Sequence, residues 1–150
     1  MSTIINKALS QYGVTELVGQ KHNPVILDYF EKIGHTWVTT DETAWCSAFT
    51  NWVALECGKE MSNQLTARSW LKVGTETKQP DIGDIVVFWR SKKNSWKGHV
   101  AFFIGYSEDK KHIYCLGGNQ NNQVNIKAYP VYRLLGFRKL NNSITQNSTK

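Results

Sequence analysis

The spacing of apolar residues changes period once along this chain, at Pro80-Asp81-Ile82-Gly83, and that change decides which folds are open to it. Before the turn, apolar side chains recur every three or four residues, the period of a helix lying on a core. Ile4, Ile5, Ala8, Leu9 and Tyr12 mark one stripe, ended by Gly13. Ile26, Leu27, Tyr29, Phe30 and Ile33 mark a second, which starts at Pro24 behind Asn23 as cap and stops at Gly34. Cys46, Phe49, Val53, Ala54 and Cys57 mark a third, closed by Gly58, and a short fourth helix fits Leu65 to Leu71. After the turn, Asp84 to Trp89 is an apolar, β-branched run, the pattern of a strand buried on both faces. His99 to Gly105, His112 to Leu116, Gln123 to Ala128 and Leu134 to Phe137 follow as further strands between polar turns. Helices first and strands after imply an α+β domain, with N-terminal helices packed on an antiparallel sheet of five to six strands.

The chain has 150 residues, enough for one domain with a self-sufficient core, here placed at 1–140. The tail from 141 to 150 is polar apart from Ile144 and is expected to be disordered. No run of about 18 apolar residues is present, which excludes a membrane-spanning helix. Met1 to Lys7 lacks a basic segment followed by an apolar one, so synthesis in the cytoplasm without a signal peptide is expected. Three cysteines with no C-x-x-C spacing argue against a disulfide framework and against structural zinc. No metal and no cofactor is called for. The formal charge of +6 points to a polyanionic partner, either nucleic acid or an anionic cell wall. Nucleic-acid binding needs clustered Lys and Arg with aromatics, which only Arg90 to Lys97 offers, and it is the weaker reading.

Cys46 falls in the first turn of the third helix, on its inward face. Asp41 or Thr43 can cap that helix, and Glu42 suits the positive end of its dipole. Backbone N–H groups and the dipole favour thiolate there, although a small buried hydrophobe would fit the same stripe. A nucleophilic thiol needs a base. His22, His35 and His112 lie in polar surroundings and read as surface residues. His99 instead opens an apolar strand, on one face with Ala101, Phe103 and Gly105. A hairpin turning near Glu108 and Asp109 places His99 opposite Gly117 to Asn119. Asn119 can then accept the imidazole N–H and set its tautomer, with Gln120 as the alternative.

Four blocks in order carry a family likeness: Ala44-Trp45-Cys46-Ser47-Ala48-Phe49, Gly83-Asp84-Ile85-Val86-Val87-Phe88, Gly98-His99-Val100-Ala101-Phe102 and Leu116-Gly117-Gly118-Asn119-Gln120. Together they resemble the CHAP and NlpC-type cell-wall hydrolases, papain-like cysteine enzymes that cut amide bonds in peptidoglycan. The resemblance covers about residues 5 to 140. It implies Cys46 as nucleophile, His99 as base and Asn119 as orienting residue, with Trp45, Ser47, Trp96 and Gln120 around the oxyanion and substrate. Trp89 could also line the cleft but reads first as core. Many CHAP domains carry a glutamate just before the asparagine, where this chain has Gly117 and Gly118. The implied function is a peptidase or amidase of the peptide part of peptidoglycan, as a phage lysin or secreted antibacterial effector. A non-catalytic wall-binding module of the same fold is the alternative. Peptidoglycan is the expected partner, with an immunity protein or delivery machine besides, no nucleic acid and no membrane. A monomer acting on the wall after delivery or lysis is expected.

Overall fold

A computed structural model describes residues 3–17, 23–35 and 45–143. Three α-helices come first: α1 (Thr3–Leu9), α2 (Pro24–Lys32) and α3 (Cys46–Glu56). Asn23 caps α2 as expected, its side chain accepting from the Val25 N–H. The fourth expected helix is a 3₁₀ segment, Ala67–Lys72. The proposed caps Asp41 and Thr43, with Glu42, lie outside the described residues, as do His22 and the end of the tail. Trp45 occupies the cap position of α3 and makes no side-chain cap bond.

Six strands follow: β1 (Thr75–Thr77), β2 (Ile85–Trp89), β3 (Gly98–Tyr106), β4 (His112–Gln120), β5 (Gln123–Pro130) and β6 (Leu134–Lys139). They form one antiparallel sheet in the order β1-β6-β2-β3-β4-β5. The polar, three-residue β1 carries no apolar alternation and was not expected. The β3–β4 register lies one residue from the expected pairing, with Phe102 facing Leu116 and Phe103 facing Cys115. Gly117 to Gln120 belongs to β4 rather than to a turn, and only Asn121 and Asn122 turn the chain into β5. Both adopt positive φ, the geometry a two-residue hairpin loop requires and asparagine tolerates.

The sheet is buried on both faces at its centre. One face carries Ile85, Val87, Val100, Phe102, Leu116 and Val124 against the helices. The other carries Val86, Phe88, Ala101, Phe103, Ile113 and Phe137, with Tyr129, Val131 and Leu134 packed over them. α3 is enclosed nearly all round, so Ser47, Thr50 and Asn51 are buried with its apolar residues. Their polar groups are paired. Thr50 donates to the Cys46 carbonyl at 2.8 Å, and Asn51 Oδ1 accepts the N–H groups of Ser62 and Asn63.

Helix and sheet pack tightly against each other at Gly118. A Cβ there would stand 2.8 Å from Phe49 Cβ and 2.8 Å from Trp45 Cζ3. Gly118→Ala should therefore force α3 off the sheet and lower the unfolding free energy by about 1–3 kcal/mol. Gly105→Ala, where an added Cβ meets nothing within 4 Å, should change it by less than about 0.5 kcal/mol. Urea melts of the two variants against the parent check this.

Candidate active site

Cys46 opens α3 with its side chain buried against the sheet. Burial pushes the thiol pKa up; the N–H of Val100, the Arg90 guanidinium and the N–H groups of Ser47 and Cys46 pull it down less strongly. The expectation that backbone dipoles would favour thiolate is thus reversed, because water is excluded from the first turn. The Val100 N–H at the thiol places Cys46 beside the residue that follows His99.

His99 projects from β3 to the face opposite most of α3 and is 5% exposed. Its ring stacks on Tyr129, with centroids 4.9 Å apart, and Tyr129 stacks in turn on Phe88 at 5.0 Å. Nε2 lies 2.9 Å from Gln120 Oε1. The direction of this bond follows from the rest of the amide. Gln120 Nε2 donates to the carbonyls of Cys115 and Asn125 and to Asn125 Oδ1, at 3.3, 2.8 and 3.0 Å. The amide oxygen must therefore face His99 and accept its N–H. That selects the Nε2–H tautomer and leaves Nδ1 as a free base. Burial, helped by Arg90 and Lys127 and opposed by the Gln120 bond, lowers the His99 pKa from 6.5 to about 4.

Asn119, the first choice for the orienting residue, is not the partner of this bond. It sits at φ +58° in a bulge where the β4–β5 register slips between Gly117 and Gln120. The extra residue reverses the alternation, so Gln120 and not Asn119 lies on the face of His99. Gln120 folds back beneath Gly117, where a Cβ would fall 2.7 Å from its Oε1. The glycine found in place of the common glutamate thus makes room for the amide that holds the imidazole.

The other expected residues separate. Trp45 is fully buried and donates to Glu16 at 2.7 Å, so its ring is core. Ser47 donates to the Gln64 carbonyl and accepts from Trp70, which commits its hydroxyl to the fold. Only the Ser47 N–H faces the thiol. Trp96 is 71% exposed. Its loop is pinned by Arg68, which donates to the carbonyls of Lys92, Lys93 and Lys97. Trp89, read first as core, instead lines a cleft of about 540 Å³ together with His99, Asn119 and Tyr129. Tyr129, Arg90 and Arg133 were not expected at the site. Tyr129 shares the odd-numbered face of β5 with Lys127, a period-2 signal that could have found it. His35 bonds the Asn63 carbonyl at 3.2 Å and His112 is exposed, both away from this cleft. Among the described residues no group of His, Cys, Asp or Glu could hold a metal ion.

The CHAP-domain family model matches residues 37–119, more than half of the chain and inclusive of Cys46 and His99. The chain belongs to the CHAP family. Membership places it among peptidoglycan-related domains of hydrolase type. No curated protein matches it significantly. Its fold is similar to that of a Staphylococcus aureus Mu50 protein described as similar to lipoprotein, NLP/P60 family. The two are 17% identical with a TM-score of 0.52, over 91% of this chain and 40% of that one. This CHAP chain thus spans less than half of the staphylococcal protein, and the likeness supports the papain-like fold alone. RipD of Mycobacterium tuberculosis, described as a non-catalytic NlpC/p60 domain protein adapted to peptidoglycan binding, is 20% identical over 92% of both chains. Its TM-score of 0.44 is too low to bear on function here. No helix among the described residues is long and apolar enough to cross a membrane.

A buried histidine kept neutral in the CHAP fold but protonated when unfolded makes stability depend on pH. The folded pKa near 4 lies below the unfolded 6.5, so its contribution is complete above 6.5 and is lost as pH falls towards 4. Thermal melts should show Tm falling through that window, and His99→Gln should shrink the fall. An equal fall in both proteins would contradict the assignment.

Proposed function

We propose that this chain is a cysteine-dependent peptidase or amidase that hydrolyses amide bonds in the peptide part of peptidoglycan. The observation that supports it best is the 2.9 Å bond from His99 Nε2 to Gln120 Oε1, which leaves Nδ1 unprotonated on the residue that precedes Val100, whose N–H reaches the Cys46 thiol. In this reading His99 Nδ1 takes the thiol proton as Sγ attacks the amide carbonyl carbon. Burial disfavours charge on either partner at rest, so transfer accompanies attack rather than preceding it. The N–H groups of Cys46 and Ser47, which face the thiol, receive the oxyanion; one such donor is worth about 3 kcal/mol. The C–N bond then breaks, His99 returns the proton to the leaving amine, and a thioester remains. Water, deprotonated by His99, attacks the thioester and releases the acid and the free thiol. Gln120 holds the tautomer throughout, and Tyr129 holds the ring plane.

Thiol chemistry suits an acyl carbon and offers nothing to a glycosidic bond, which normally requires two carboxylates. A charge of +6 draws the protein to an anionic wall. The wall would be reached as a phage lysin, or as an effector passed by a delivery machine with an immunity protein in the producer. The protein would act as a monomer.

Digestion of purified sacculi should release new amino termini and no new reducing sugars, at a rate that falls as salt rises. Cys46→Ala should abolish release while still sedimenting with the wall. His99→Ala should cost roughly 10³-fold or more and Gln120→Ala about 10- to 100-fold, with Asn119→Ala costing less than either. Reducing ends without amino termini would overturn the reading. Wall binding without any cleavage by the parent protein would assign a binding module instead.

A further inference from the structure

The cleft beside His99 is lined by Arg90, Lys127 and Arg133, and among the described residues no acidic side chain lines it. Three cations around one hollow repel each other, and an anion seated among them relieves that repulsion. Two of the three are held in place by aromatic rings. The Arg133 guanidinium carbon lies 5.1 Å from the Trp89 ring centre and 5.8 Å from that of Tyr132. Lys127 Nζ lies 5.4 Å from the Tyr129 ring centre, and its hydrogen bond goes to Asn121 Oδ1 at 3.1 Å. Arg133 Nε is buried with no hydrogen-bond partner among the described residues, a rare condition for a guanidinium N–H. Arg90 is exposed at the mouth and its side chain makes no hydrogen bond or ion pair among the described residues.

We infer that this cleft is a carboxylate subsite: Arg90 and Arg133, with Lys127, bind a free carboxylate of a peptide substrate on the residue flanking the amide to be cut. The inference rests on the proposed hydrolysis for its placement, since His99 is part of the same cleft wall. An anion seated there must be covalently close to the scissile amide. In a peptide that anion is a carboxylate, whereas wall phosphates belong to polymers joined elsewhere. Planar carboxylate also matches the fork of a guanidinium, with Asn119 and Asn122 at the rim to pair with neighbouring amides.

The test separates binding from cutting. The full-length Cys46→Ala protein is titrated with two soluble stem peptides of one sequence. One carries its glutamyl and C-terminal carboxylates free; in the other both are carboxamides. Trp fluorescence and calorimetry report affinity at fixed ionic strength. The carboxylate peptide should bind roughly 10- to 100-fold more tightly, the range of hydrogen bonds to charged groups. Arg90→Gln, at an exposed position, and Arg133→Gln, if it folds, should each collapse that preference while leaving carboxamide affinity nearly unchanged. Equal affinity for the two peptides, or no binding of either up to millimolar concentration, would overturn the inference. Displacement of the acid peptide by a polyol-phosphate polymer at lower concentration than by the free peptide would also overturn it, reassigning the cleft to phosphate. If the carboxylate preference holds but the parent protein cuts neither peptide, the subsite stands and the hydrolytic reading fails alone.

Discussion

α3 can press against the sheet only where position 118 carries no side chain, and most of the site depends on that contact. Phe49 and Trp45 occupy the space a Cβ would need. With the helix seated there, its first residue comes to lie beside the β3 backbone, and the Val100 N–H reaches the Cys46 thiol. A helix raised by even a methyl group would withdraw the thiol from β3, because packed interiors transmit displacement instead of absorbing it. The neighbouring glycine serves the other side of the sheet. Gly117 leaves open the place where the Gln120 amide turns back towards His99. One dipeptide therefore bears both on how the helix carrying Cys46 seats and on the amide that holds the His99 ring.

The helical stripes, the β2 run and the β3–β4 hairpin were legible because burial imposes a period, and period survives in a sequence. Cys46 and His99 were legible for a related reason, since each is a polar or reactive group placed at the end of an otherwise apolar run. The hydrogen-bond partner of the His99 ring was not. Simple alternation along β4 puts Asn119 on the face of His99, and only a residue at positive φ shifts that place to Gln120. A bulge is a property of one backbone angle pair, and an asparagine in a glycine- and asparagine-rich segment is compatible with a turn, a bulge or neither. The side chains of Trp45 and Ser47 turn away from the cleft, because neighbours in sequence on a helix point in directions about 100° apart. Beside an inward cysteine they meet Glu16, Gln64 and Trp70 instead of the cleft.

The charge state of the pair was also hidden from the sequence. A helix start and a cysteine together argue for thiolate, and the dipole contribution is real. It amounts to a fraction of a charge, however, and loses to desolvation once the thiol is enclosed. Burial raises the thiol and lowers the imidazole, so both effects keep the proton on sulfur at rest.

Arg90 makes that balance depend on what occupies the cleft. Its charge lowers the pKa of Cys46 and of His99 together. The first effect favours losing the proton from sulfur, and the second opposes receiving it on nitrogen, so within the pair they largely cancel. An anion bound against the guanidinium screens both at once. It does more for the imidazolium, because Lys127, a second cation lining the same cleft, also opposes the charge on His99. A substrate carboxylate held by these side chains would thus strengthen His99 as a base at the moment an amide lies beside it. Water filling the cleft would do so less well, having no net charge to offer. Selection of an acidic peptide and readiness to transfer the proton are in that sense one electrostatic property of the same cleft wall.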